Sequence, residues 1–150
     1  MRGGPGRLRR HRRDGGRGRA GRLAETSLQS RRAADELIGD LLFHGVHHVY
    51  CLHPTFQWNL MFDSGERILA RWMDPTDRVP RYPREVDRAS FAGEPVAIVG
   101  TPDKIEEFRR FLGKIGRAEV DVRVTPGGCF WVTAPDLDLL RRIGFRISGA

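Results

Sequence analysis

The chain has no apolar run approaching the roughly 18 residues needed to cross a bilayer as a helix, so it does not itself code a membrane span. It has only two cysteines, Cys51 and Cys129, and no CxxC spacing, which excludes a zinc ribbon and a thioredoxin-type redox pair. Both read as small, buried apolar residues, and they pair only if the fold brings them together, which spacing does not decide. No GxSxG elbow is present, and Ser64 stands in Asp63-Ser64-Gly65-Glu66, a turn sequence in which serine is ordinary. The stretch PVAIVGTPDKIEEF has one glycine and no following Lys-Ser/Thr pair, so it reads as an ordinary βα turn and not a phosphate loop. Internal repeats are absent.

Charge of one sign is scarce except at the start. The formal charge is +7, yet residues 1–22 hold nine Arg against one Asp, and the remainder is nearly balanced. This Arg/Gly-rich segment has almost nothing apolar to bury against the entropy of ordering its backbone. It reads as a disordered basic tail, residues 1–25, ahead of a single α/β domain, residues 26–150. Arg9, Arg10, Arg12 and Arg13 within it are candidate nucleic-acid contacts, able to release counterions from a phosphate backbone.

The rest is patterned. Ala33, Ala34, Leu37, Ile38 and Leu41 recur at helical spacing before Gly45, predicting a helix over 28–44. Residues 46–52 read as a strand, and 57–62 with 66–72 as a β-hairpin turning at Asp63-Ser64-Gly65. Prolines confine any helix in 74–95 to a short piece near 84–89. PVAIVG is a continuous apolar run suited to a central strand, feeding an amphipathic helix with Ile105, Phe108, Phe111, Leu112 and Ile115 on one face. Strands are expected at 120–124 and 129–133 around Pro126-Gly127-Gly128, then a helix over 137–143 capped by Asp136 and an edge strand at 145–147. Together these predict a two- or three-layer α/β sandwich with a mixed β-sheet.

HGVHHVYCLH concentrates histidine and cysteine as a metal site would. Alternation along the strand sends His47, Cys51 and His53 to one side and His48 to the other, while His44 belongs to the preceding helix end, where its charge is favourable. No metal site and no cofactor is expected. The stretch from Trp58 to Tyr82 is richer in Arg and aromatic residues on loops, where ligand contacts gather. The same residues also suit a hairpin with charged pairs across its exposed face.

GVHHVYCLHPTFQWNLMFDSGERILARWMDPTDRVPRYPREVDRA carries Gly45-Val46, Val49-Tyr50, Trp58, Phe62-x-Ser64-x-Glu66-Arg67-Ile68, Asp77-Arg78-x-Pro80-x-Tyr82 and, further on, Val96-Ala97-x-Val99. In order and spacing it resembles the C-terminal soluble domain of bacterial multi-spanning C-type-fold, mannosyltransferase-like membrane glycosyltransferases, over about residues 28–148. The resemblance implies an extramembrane domain on the outer face of the cytoplasmic membrane, handling or neighbouring a lipid-phosphate-linked sugar. It also implies no catalytic residue here, because the family's catalytic acid lies near its first membrane helices. A truncated gene product and an independent binding module both fit a free-standing copy. Trp58, Arg78 and Tyr82 are the candidate ligand contacts, the aromatics stacking on sugar faces and the arginine pairing with an anion. A nucleic-acid-associating protein acting through the basic tail is the competing expectation.

Overall fold

The computed structural model describes residues 17–74 and 78–147. Helix α1, Arg17–Phe43, buries Ala33, Ala34, Leu37, Ile38 and Leu41 along one stripe. Gly45, at φ 71°, ends it by letting the Val46 N–H reach back to the Leu41 carbonyl at 2.9 Å. The helix starts earlier than the expected 28–44, taking in residues 17–25, whose Arg, Ala, Leu and Glu are good helix formers.

Strand β1 (His48–Cys51) is followed by helix α2 (Pro54–Asp63), which corrects the expected hairpin. Phe56, Gln57, Leu60 and Met61 are its buried residues, and that spacing belongs to a helix, not to a strand of period two. Pro54 supplies the first helical position, where its missing N–H costs nothing. The Asp63-Ser64-Gly65 signal is real but serves as a helix stop. Gly65 and Glu66 both sit at φ 58°, and the Glu66 N–H closes on the Met61 carbonyl at 2.8 Å. Residues 66–72 then contribute only β2, Leu69–Arg71, which runs parallel to β1 with Val49 opposite Ala70.

Helix α3 spans Arg81–Phe91, longer than expected, because Pro83 falls in its first turn, where no backbone donor is needed. Then follow β3 (Val96–Gly100), a 3₁₀ turn (Pro102–Lys104), α4 (Ile105–Lys114), β4 (Val122–Val124), β5 (Phe130–Thr133) and α5 (Leu137–Ile143). Asp136 caps α5 as expected, accepting from the Leu139 N–H at 2.7 Å. Residues 145–147 form no strand. The Phe145 N–H closes on the Leu140 carbonyl and the Arg146 N–H reaches the Met73 carbonyl, while the Phe145 side chain turns into the core.

The strands form one mixed sheet in the order β2-β1-β3-β5-β4, with the first three parallel and the last two antiparallel to their neighbours. The chain steps from β1 outward to β2, then back across β1 to β3. Crossovers of one hand require α2 and α3 to lie on opposite faces when the direction of travel reverses, and the two cores have them so. One core packs α1 and α2 on Val49, Cys51, Ala97, Val99 and Trp131. The other packs α3, α4 and α5 on Tyr50, Ile98, Phe130 and Val132. The result is a three-layer α/β/α sandwich, with each fully buried large apolar side chain contributing about 1.5–3 kcal/mol. Its reversal point, between β1 and β3, is where such sheets leave a crevice at their carboxyl ends.

Candidate functional site

Three hollows lie along that carboxyl edge. The first, about 650 Å³, is lined by Pro54, Gln57, Trp58, Trp72, Asp74, Arg78 and Val79. Helix α2 carries Trp58 on its outer side, 42% exposed, because the inner side is taken by Gln57, Leu60 and Met61. The loop leaving β2 brings Trp72 and Arg78 to the opposite wall. Arg78 makes no ion pair with any described residue, so its charge faces solvent and the cleft. The second hollow, about 300 Å³, shares Trp72 and is mainly apolar, with Leu52, Met73, Phe108, Phe111 and Ile143 beside a Lys104–Glu107 ion pair. The third, about 670 Å³, opens at the β1/β3 reversal.

Of the three expected ligand contacts, Trp58 and Arg78 meet in the first cleft. Tyr82 stands behind them. Its ring meets Trp58 edge-on at 6.3 Å, and its hydroxyl donates to Glu66 Oε1 at 3.0 Å, so it supports Trp58 instead of lining the cleft. Trp72, Gln57 and Asp74 complete its walls, and none of them was among the expected contacts. Arg9, Arg10, Arg12 and Arg13 lie outside the described residues.

Other reactive-looking groups have structural employment. Arg71 is fully buried, and its Nη1 donates to both carboxylate oxygens of Asp87, at 2.7 and 2.6 Å. Its remaining donors reach the carbonyls of Trp72, Met73 and Arg146. Tyr50 donates to the same Asp87 at 3.0 Å, and burial, then the Asp87 charge, push its phenol well above the ordinary value. Ser64 Oγ donates to the Met61 carbonyl and accepts from the Ile68 N–H, fastening the end of α2. Burial raises the thiol of Cys51, and lifts that of Cys129 to about 11, so neither is a thiolate at neutral pH.

The histidines diverge. His44 Nδ1 contacts the Asp40 carbonyl at 2.8 Å and its Nε2 faces Arg123, His47 contacts the Arg67 carbonyl, and His48 lies 3.7 Å from Glu94. Among the described residues no three His, Cys, Asp or Glu side chains gather as a metal site would require. Gly100, the glycine of the βα turn, is explained by packing: a Cβ there would lie 2.3 Å from the Phe130 ring. Compared with family models, curated proteins and solved structures, the chain has no match.

Proposed function

We propose that the folded region is a non-catalytic binding domain of the kind that ends lipid-phosphate-sugar-dependent membrane glycosyltransferases, working at the extracytoplasmic membrane face. The observation that carries this reading is the cleft between α2 and the loop after β2. It sets two indoles, Trp58 and Trp72, around an arginine without an ion-pair partner among the described residues. Indole faces stack on the C–H faces of sugar rings, and a guanidinium pairs with phosphate in a bidentate manner. The employment of Ser64, Tyr50, Asp87 and both cysteines in caps, networks and core supports a binding role over nucleophilic catalysis.

Titration of the chain with a polyprenyl-phosphate sugar in detergent tests the reading. Arg78→Ala and Trp58→Ala should each weaken binding by about tenfold or more, and Tyr82→Ala by less, through loss of the support behind Trp58. Equal affinity for wild type and Arg78→Ala would remove this cleft from the function.

A further inference from the structure

We propose that the crevice at the β1/β3 reversal is a second binding site, taking a neutral, hydroxyl-rich ligand of about one or two sugar rings. The inference does not rest on the Trp58–Arg78 cleft. Its position follows from the topology. The chain leaves β1 into α2 on one face of the sheet and leaves β3 into α4 on the other, so the two connections part and expose the strand ends between them. That gap is the largest of the three hollows, about 670 Å³, and is walled on its far side by α1 through Gln29, Ser30 and Arg31.

The lining selects the chemistry. His53, Asn59, Asp63, Thr101 and Asp103 supply convergent polar groups, while Phe62, 86% exposed, offers a ring face at the rim. Two carboxylates stand against one guanidinium, that of Arg31, so the crevice does not favour an anion. The Asp103 carboxyl is held below its ordinary range, chiefly by the hydroxyl hydrogen bond from Thr101, and is therefore an acceptor at neutral pH. A phosphate would also need backbone N–H groups freed by glycine at the βα turn. The space at Gly100 is instead filled by Phe130. An aromatic face beside carboxylate and amide acceptors suits a sugar, whose C–H face stacks while vicinal hydroxyls donate.

The test is a backbone amide NMR titration of the full chain with the methyl glycosides of glucose, galactose and mannose, and separately with inorganic phosphate. At least one glycoside should shift the amides of His53, Asn59, Thr101 and Asp103, saturating with a Kd on the order of millimolar, and phosphate should not compete. Asp103→Asn and Phe62→Ala, each checked for an otherwise unchanged spectrum, should weaken that binding by about tenfold, while Trp58→Ala leaves it as it was. Shifts centred on Trp58 and Trp72, displacement by phosphate, or no saturable shift with any of the three glycosides would overturn the second site. A lipid-phosphate titration that still depends on Arg78 would leave the first cleft standing in all three cases.

Discussion

Arg71 and Arg78 belong to the same Arg- and aromatic-rich stretch, and each lies near an aromatic ring and an acid, yet they do opposite things. Arg71 is sealed under α3, with its guanidinium 5.7 Å from the Tyr50 ring centre, both Asp87 oxygens on one nitrogen and three carbonyls on the others. Arg78 sits exposed on a loop, in the wall of a cleft. The buried arginine joins β2, α3 and the C-terminal segment at Arg146, so its energy goes into holding the sandwich together. The exposed one has no such employment among the described residues, and its charge stays open to solvent and the cleft. Burial and donor satisfaction, not residue type, separate the buried arginine from the exposed one.

The sharpest way to break this contrast is to unpair the buried member. Asp87→Ala strands the Arg71 charge in the core and should cost about 3–5 kcal/mol. That is a large part of the roughly 5–15 kcal/mol a domain of this size has. Arg78→Ala should change stability by no more than about 0.5 kcal/mol. Chemical denaturation of both variants measures the difference. Comparable losses would mean that the loop arginine is structural too, and the cleft would lose its cation.

This contrast also marks what was legible in the sequence. PVAIVG announced a central strand because a run buried on both faces needs no alternation, and Phe108 and Leu112 announced α4 because one helical face carried them. Asp136 announced α5 through a local cap that depends on nothing distant. Asp63-Ser64-Gly65 misled because glycine at positive φ ends a helix as readily as it turns a hairpin. The spacing of Phe56, Gln57, Leu60 and Met61, with Pro54 at the start, was the signal that would have decided it. Of the three residues expected as ligand contacts, the structure brings Trp58 and Arg78 to one cleft and sets Tyr82 behind Trp58. Periodicity says nothing about how residues outside regular elements, such as Trp72 and Arg78, come to face a helix. For the same reason no pattern could tell Arg71 from Arg78, since the distinction lies in Asp87, on another element.

A middle-sized effect tests the βα turn, where packing and binding make opposite demands on a glycine. Gly100→Ala pushes a methyl into the Phe130 ring and should cost about 1–3 kcal/mol of overpacking. Unchanged stability would mean that the ring moves away easily and that packing is not the reason for the glycine. A smaller effect separates the exposed carboxylates. Asp136 both caps α5 and accepts from Arg117 Nη2 at 2.9 Å. Asp136→Ala should cost about 1 kcal/mol through the lost cap, whereas Arg117→Ala, removing the surface pairs to Glu119, Asp136 and Asp138 but leaving the cap, should cost about 0.2–0.5 kcal/mol. Equal losses in thermal unfolding would assign the effect to the ion pair instead.

The smallest effect concerns a charge that is half inside. His48 sits 3.7 Å from Glu94, a contact that by itself would favour the imidazolium. Burial opposes it and prevails, with Arg88 and His47 adding repulsion, so His48 gives up its proton below the ordinary 6.5. Arg88 also lies 3.4 Å from Glu94, and the carboxylate divided between two partners is a weak counterweight. The sign follows from linkage. A histidine whose folded state prefers the neutral ring contributes stability above 6.5, and that contribution is lost as pH falls through the lower folded value. Wild type should therefore lose stability between neutral pH and about pH 5, before the exposed carboxylates near Arg117 begin to protonate. His48→Gln should lose less over the same interval. Denaturation midpoints at the two pH values decide it, and a steeper loss in His48→Gln would show that the Glu94 contact, not burial, sets the balance at this edge of the sheet.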